Sequence, residues 1–221
     1  MQIRIKRQIW YGVLLLLLFS CKKISDNQVV DIDGNIYGTV IIGSQVWMNE
    51  NLRTTRFNDG TKIQLVPYGV EWSLLQSPGY CWYGNNEAFF SLNHFGALYN
   101  GYAANTGNLC PVGWHVPTWD DWVELGSYVG WASGFGKLKE EGTINWASPN
   151  SDATNETGFT ALPGGSRGST GVYASFRYSA RFWSIQSSSF FPLNYYYSTY
   201  TAYPSIEMKG GASVRCILDS K

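Results

Sequence analysis

Side chains that could bind a metal or act as catalysts are few and scattered in this chain. Its two histidines, His94 and His115, have no cysteine or carboxylate at the spacing of a zinc site. His115 lies between apolar neighbours, so we expect a packed, hydrogen-bonded imidazole there. The chain also contains no Gly-x-Ser-x-Gly nucleophile motif and no phosphate-binding loop. This inventory predicts no metal site, no cofactor and no enzymatic activity.

The segment Asp31-Ile32-Asp33-Gly34-Asn35 has the composition of a calcium-binding loop but not its spacing. An EF-hand loop needs glycine at its sixth position and glutamate at its twelfth. Here glycine is fourth and Ile42 is twelfth. Because Asp-Gly stands between two β-prone stretches, the segment instead predicts a tight hairpin.

Two further patterns are weaker still. Glu140 and Glu141 are adjacent, whereas the paired carboxylates of glycoside hydrolysis must converge across a cleft, which adjacency does not ensure. No helical pattern follows the glycine-rich residues 164–168, so a phosphate site is not favoured. We expect Gly164 and Gly165 to allow a tight backbone path.

The composition of the chain indicates a folded protein with no net charge, whose helices and strands must position the residues discussed above. Of its 221 residues, 44% are hydrophobic and 14% are charged, which argues against intrinsic disorder. Sixteen basic residues balance sixteen acidic ones, so nothing indicates a nucleic-acid partner. Twenty-four glycines indicate many turns, and therefore a β-rich or loop-rich domain.

The N-terminus has the pattern of a bacterial lipoprotein export signal. Residues 1–20 combine three basic residues with an apolar run too short to span a membrane comfortably, and Cys21 follows at once. We expect lipid on Cys21, a polar tether over residues 21–28 and a location in the cell envelope, as an outer-membrane lipoprotein facing either the periplasm or the exterior. The membrane is then one partner, through the lipid. The alternative is an ordinary secretory signal followed by a coincidental cysteine.

Hydrophobic spacing predicts two local structures clearly. Residues 29–48 read as a three-stranded meander with a turn at each of two glycines. A helix begins at Thr118, where Thr118 and Asp121 approximate a capping box, and ends at Gly130. From residue 157 onward we expect short strands. No linker divides residues 29–221, which we interpret as one domain.

Several segments together resemble one family, the Fibrobacter succinogenes major paralogous domain, which is common in lipoproteins of Bacteroidetes and Fibrobacteres. The resemblance covers about residues 29–219 and carries no firmly assigned activity. Its motifs are the segments at residues 38–52, 80–83, 96–100, 109–118, 137–140, 155–167 and 213–216.

The same motifs are also more distantly similar to those of C-type lectins and of sulfatase-modifying factors. This similarity implies an α+β, C-type-lectin-like domain of short antiparallel strands, one or two helices and long loops. The calcium–sugar motifs of true C-type lectins are missing. In such a fold the chain ends meet, which implies a Cys110–Cys216 disulfide with Cys81 free. Cys81 paired with either partner, or three buried thiols, are the alternatives.

An aromatic run over residues 190–203 suggests a binding surface. If it were one strand, Leu193, Tyr195 and Tyr197 would share a face. Tyrosine suits stacking on sugars and protein interfaces, and Tyr196, Tyr200 and Tyr203 are our candidate contacts with a glycan or another envelope protein.

Two functions remain open at this point. The first is a non-catalytic binding or structural module of the envelope. The second is an oxidoreductase-like relative of the formylglycine-generating enzymes, which would need a reactive, exposed cysteine pair.

Structural roles are expected for most of the other large motif residues. Trp47, Trp82, Trp114 and Trp146 are expected in the core because tryptophan buries a large area. We expect Arg167 and Arg215 to bind buried carboxylates or carbonyl oxygens.

Overall fold

The computed structural model describes residues 27–185, 189–199 and 207–220. Cys21, Tyr200 and Tyr203 lie outside the described residues, and with them the predicted lipidation site and two of the three predicted binding tyrosines. Within the described ranges, no helix has both the length and the apolar character needed to cross a membrane.

Short strands make up most of the regular structure, and the domain is α+β. The strands described are β1 Gln28–Val30, β2 Ile36–Ile42, β3 Gln45–Met48, β4 Gln64–Leu65, β5 Gly79–Cys81, β6 Leu98–Asn100, β7 Trp114–His115, β8 Ser166–Arg167, β9 Tyr173–Ala174, β10 Ser179–Ser184, β11 Ser189–Asn194, β12 Gly211–Ala212 and β13 Ile217–Leu218. The helices described are α1 Gly69–Leu74, α2 Glu87–Leu92, α3 Gly101–Ala104 and α4 Trp119–Val129, with 3₁₀ segments at Tyr83–Asn85 and Gly134–Leu138.

The first sheet joins the two ends of the described chain. Its order is β1-β2-β3-β13-β7, with all neighbours antiparallel, which confirms the predicted meander. At the first turn, the Asp31 carboxylate accepts hydrogen bonds from the backbone N–H groups of Asp33 and Asn35, at 3.0 and 2.9 Å. Asp31 therefore closes a hairpin, as predicted. The described residues contain no cluster of three or more His, Cys, Asp or Glu side chains that could hold a metal ion.

The second sheet and a separate ribbon form the rest of the scaffold. The sheet has the order β4-β5-β6-β12-β8-β9, in which β4 and β5 are parallel and the other neighbours antiparallel. Strands β10 and β11 pair as an antiparallel ribbon. Single bridges from Gly165 to Ala180 and from Phe182 to Ser213 tie the ribbon to the sheet. At Gly165, φ is +71° and an added Cβ would lie 2.7 Å from the Ala174 carbonyl oxygen, so glycine is required there.

Helix α4 matches its prediction from start to end. The Thr118 side chain accepts a hydrogen bond from the Asp121 N–H, and the Asp121 carboxylate accepts one from the Thr118 N–H. The helix ends at Gly130, where φ is +99°. The expectation of one or two helices was too low, since four lie in the described residues. Helices α1 to α3 have six residues or fewer, which is too short for a 3.6-residue period to stand out.

Aromatic rings fill the core. Trp47, Trp82 and Trp146 are buried as predicted, and Trp122 of α4 stacks on Phe191 of β11 with ring centroids 4.3 Å apart. Trp114 is only half-buried, contrary to the prediction, because it lies on β7 at the edge of the first sheet.

Two buried arginines bind carbonyl oxygens. Arg167 donates to the carbonyls of Val66, Pro67 and Gly171 at 2.6 to 3.0 Å. Arg215 donates to the Asn51 side chain and to the Phe159 carbonyl. Within the described part of the chain, neither guanidinium forms a salt bridge with a carboxylate, so the carbonyl alternative holds for both.

A disulfide joins Cys110 to Cys216, as predicted, with a Cα–Cα distance of 6.0 Å. It links the segment before β7, in the middle of the chain, to the segment before β13. Cys81 is free and buried on β5.

Candidate functional site

A group of tyrosines lies where the β10–β11 ribbon ends. We call Tyr178, Tyr195, Tyr196 and Tyr197 the tyrosine patch. Tyr178, Tyr196 and Tyr197 are each more than half exposed, at 53%, 56% and 51%. Neighbouring rings meet edge to face: Tyr178 with Tyr195 at 5.1 Å and Tyr196 with Tyr197 at 5.2 Å between centroids. The patch thus presents aromatic faces and hydroxyl groups to solvent.

The predicted single strand does not extend through this patch. Strand β11 ends at Asn194, because the Asn194 side chain accepts a hydrogen bond from the Tyr196 N–H and turns the chain. Leu193 is buried and Tyr195 is half-buried, as expected for residues on one packed face of a strand. Tyr197, predicted for the same face, is exposed because it lies beyond the end of the strand. The start of the run is also less open than expected, since Phe191 is fully buried.

Backbone contacts hold the patch on the ribbon and on a neighbouring loop. The Tyr195 N–H donates to the Tyr178 carbonyl at 3.0 Å, and the Tyr195 carbonyl accepts from the Ser151 N–H at 2.9 Å. Beyond the patch, the Ser198 hydroxyl donates to Asp152 at 2.8 Å. The loop that contains Ser151 and Asp152 therefore supports the tyrosines from one side.

The structure also contains a polar cleft of about 380 Å³. We call it the polar cleft and define it by the side chains of Asn49, Glu50, Leu92, His94, Glu140 and Asn145. These residues come from the end of β3, the end of α2 and the segment after the second 3₁₀ turn. They are up to 96 positions apart, so adjacency in sequence could not have grouped them.

The two carboxylates of the cleft have opposite electrostatic environments. Burial raises the pKa of Glu50, but hydrogen bonds from Arg53 and His94, at 2.8 and 2.7 Å, outweigh burial and hold that pKa below its ordinary value. Burial raises the pKa of Glu140, and the single hydrogen bond from Asn145 at 2.9 Å only partly opposes this. Glu140 Oε2 is buried and has no hydrogen-bond partner among the described residues.

Cys81 does not provide the chemistry of the oxidoreductase hypothesis. It has no exposed surface and packs with Val66, Trp72 and Leu98. Burial raises the pKa of its thiol to about 11, which disfavours the thiolate that reacts. The other two cysteines in the described residues are joined to each other.

His115 is a packed, hydrogen-bonded side chain, as expected. Its Nδ1 lies 2.7 Å from Asp219 and its Nε2 lies 3.2 Å from Asp121. It links β7, the N-terminus of α4 and the segment after β13.

Comparison with known proteins supports the resemblance of the motifs. A family model described as the Fibrobacter succinogenes major domain matches residues 40–218. The chain belongs to this family. The match includes both the tyrosine patch and the polar cleft. No curated protein and no solved structure matches the chain. Membership in the Fibrobacter succinogenes major domain family identifies the domain, and the name of the family does not state an activity.

Proposed function

We propose that this chain is a lipid-anchored, non-catalytic protein of the bacterial envelope that binds a glycan on its tyrosine patch, within a C-type-lectin-like fold. The observation that carries the proposal is the exposure of three tyrosine residues at the end of one ribbon. Aromatic faces stack on the apolar C–H faces of sugars, and tyrosine hydroxyls bond to sugar hydroxyls.

The envelope location rests on the N-terminal sequence and agrees with the disulfide. A basic segment, a short apolar run and Cys21 follow each other as in a lipoprotein signal. Disulfides persist in compartments outside the reducing cytoplasm. The Cys110–Cys216 bond is what a domain in such a compartment can retain.

The lectin-like assignment rests on connectivity. The last strand, β13, lies between β3 and β7 in the first sheet, so the end of the chain returns to its beginning. Long irregular segments, such as residues 139–165, connect these elements. Both features agree with the motif resemblance.

The non-catalytic part of the proposal rests on Cys81 and on Glu50. The buried Cys81 thiol lacks the exposure that an oxidoreductase of the formylglycine type needs. Both oxygens of Glu50 already accept hydrogen bonds, from Gly38, Arg53 and His94, which makes Glu50 a poor general base.

A glycan array probed with the full chain in detergent tests this proposal. We expect at least one class of oligosaccharide to bind, and Tyr196→Ala together with Tyr197→Ala to remove most of that binding. Tyr68→Ala is the matched control, since Tyr68 is 67% exposed and lies next to α1 rather than in the patch.

Two results would count against the proposal. Glycan binding that is unchanged in the Tyr196→Ala, Tyr197→Ala variant would remove the patch as the site. An empty array combined with capture of a defined envelope protein, lost in the same variant, would replace the glycan by a protein partner.

A further inference from the structure

The polar cleft has the size of a small-ligand site. Its volume of about 380 Å³ lies at the lower end of the range for ligand pockets, roughly 300–1,000 Å³. Space of this size suits one or two sugar rings rather than a long polymer segment. Residues at the end of α2 line it, together with Glu140 and Asn145.

The lining of the cleft contains several hydrogen-bond acceptors. Glu50 contributes carboxylate oxygens and Glu140 contributes Oε1, since Glu140 Oε2 is buried. Asn145 has a side-chain oxygen in addition to the N–H that it donates to Glu140 Oε1. A carboxylate only accepts, so His94 must donate to Glu50 through Nδ1–H. A ligand that fits these groups must be rich in hydrogen-bond donors.

The rim of the cleft is partly apolar. Leu92 is 78% exposed at the end of α2, and the largely buried Leu162 also lines the cleft. A pyranose ring carries hydroxyl donors around its edge and C–H groups on its faces, so it matches both parts of the lining. An anionic ligand does not match it, because the residues lining the cleft include two carboxylates and, among those described, no lysine or arginine.

The cleft and the tyrosine patch flank the same segment of chain. Arg177, the residue before Tyr178, donates to the carbonyls of Thr143 and Ile144 at 3.1 Å. The next residue, Asn145, lines the cleft and bonds to Glu140. Residues 143–145 therefore adjoin both sites, which is the link that an oligosaccharide contacting both requires.

From this arrangement we propose that the polar cleft binds one neutral, hydroxyl-rich pyranose unit of the glycan whose neighbouring units contact the tyrosine patch. The inference rests on the proposed function and adds a second subsite to it. It also adds a specificity: neutral oligosaccharides are accepted and uronic acids are rejected, since a sugar carboxylate would face Glu50 and Glu140.

The test compares neutral tetrasaccharides of β-glucan, mannan, xylan and galactan type with their C6-oxidised uronate counterparts where a C6 exists. Binding to the full chain in detergent is measured by titration calorimetry. We expect a neutral tetrasaccharide to bind and its uronate counterpart to bind at least tenfold more weakly. Equal binding of the two, or no binding of any neutral tetrasaccharide, would overturn the inference.

Variants distinguish the cleft from the patch. Glu140→Gln should weaken binding of the neutral tetrasaccharide about tenfold, because a charged acceptor is lost. It should also reduce the difference in affinity between the neutral tetrasaccharide and its uronate counterpart. The matched control is Glu141→Gln, whose exposed carboxylate is adjacent in sequence and does not line the cleft. Leu92→Ser is a second variant that leaves the core intact, and we expect a several-fold loss.

The outcomes separate the two proposals. If Glu140→Gln and Leu92→Ser bind like the wild type while Tyr196→Ala, Tyr197→Ala does not, the cleft inference fails and the patch proposal stands. If the cleft variants lose binding and the tyrosine variants keep it, the cleft is a site and the patch is not.

Discussion

The buried guanidinium of Arg215 shows how single residues organise this domain. Arg215 has no exposed surface, lies over the Phe159 ring at 4.5 Å and donates to Asn51 and to carbonyls of two chain segments. Burial lowers the pKa of Arg215, because the charged form loses hydration. Carbonyl and amide oxygens accept its hydrogen bonds, and the charge of Glu50 partly opposes the effect of burial on this pKa.

Replacement of this arginine should be strongly destabilising. Arg215→Met keeps an apolar stem but leaves the Asn51 side chain and the Phe159 carbonyl without a buried donor. We expect the free energy of unfolding to fall by about 2–4 kcal/mol, since each buried group left unpaired costs roughly 1–3 kcal/mol. Urea denaturation measures this. A change below about 0.5 kcal/mol would contradict the assigned role.

His115 makes stability depend on pH. The hydrogen bond to Asp121 is the largest cause that raises the pKa of His115, with Asp219 adding to it and burial opposing it. A folded-state pKa above the unfolded value means that His115 stabilises fully below about pH 6.5, and that this contribution is lost as pH rises through the folded pKa. The pKa of Asp121 is lowered, because the hydrogen bonds from His115 and Thr118 outweigh burial, so its contribution is lost in acid instead.

The test is the unfolding free energy of the wild type and of His115→Gln at pH 5.5 and pH 8. We expect the difference between the two proteins to be larger at pH 5.5, by about 0.5–1 kcal/mol, because the groups are partly solvated. If the wild type and His115→Gln differ in unfolding free energy by the same amount at both pH values, a stabilising ionic interaction of His115 with Asp121 and Asp219 would be contradicted.

At the scale of elements, the disulfide holds the returning strand β13 in the first sheet. It closes a loop with a sequence separation of 106 residues. In the chain-entropy treatment such a loop stabilises the folded state by about 4–5 kcal/mol. We therefore expect Cys110→Ser with Cys216→Ser to lower the free energy of unfolding by a comparable amount, as measured by urea denaturation.

Cys81→Ala is the control for this prediction, because it removes a thiol and no cross-link. It should cost about 1 kcal/mol. Peptide mapping should find Cys110 and Cys216 protected from alkylation until they are reduced, and Cys81 reactive only after denaturation. Early alkylation of Cys110 in the folded protein would contradict the bond.

Sequence reasoning predicted the elements whose signals are local. The meander has Asp-Gly at its first turn, and α4 has a capping threonine at one end and a glycine at the other. The disulfide came from the family resemblance. The short helices α1 to α3 and the polar cleft were missed, because one-turn helices show no period and because Glu50, His94 and Glu140 meet only through tertiary packing. The end of β11 at Asn194 was missed because its cause is one side-chain hydrogen bond.

At the scale of the whole molecule, the lipid anchor is testable apart from any ligand. We expect Cys21→Ser to abolish incorporation of labelled fatty acid and to move the protein from the membrane fraction to the soluble fraction. The thiol of Cys21 is the proposed attachment point, which explains both effects. Ser20→Ala is the control, since a small residue remains before the cysteine. Continued labelling of Cys21→Ser would contradict lipidation at this residue.

Binding of a glycan at the tyrosine patch is the central claim, and NMR of the tyrosine rings tests it most directly. The full chain, labelled on its tyrosine rings, is titrated with an oligosaccharide that binds on the array. We predict that the ring signals of Tyr196 and Tyr197 shift in proportion to the fraction of protein that has bound the oligosaccharide. The signals of Tyr68 and Tyr128, which are more exposed and lie outside the patch, should stay in place. Saturable binding with unshifted Tyr196 and Tyr197 signals would contradict the claim.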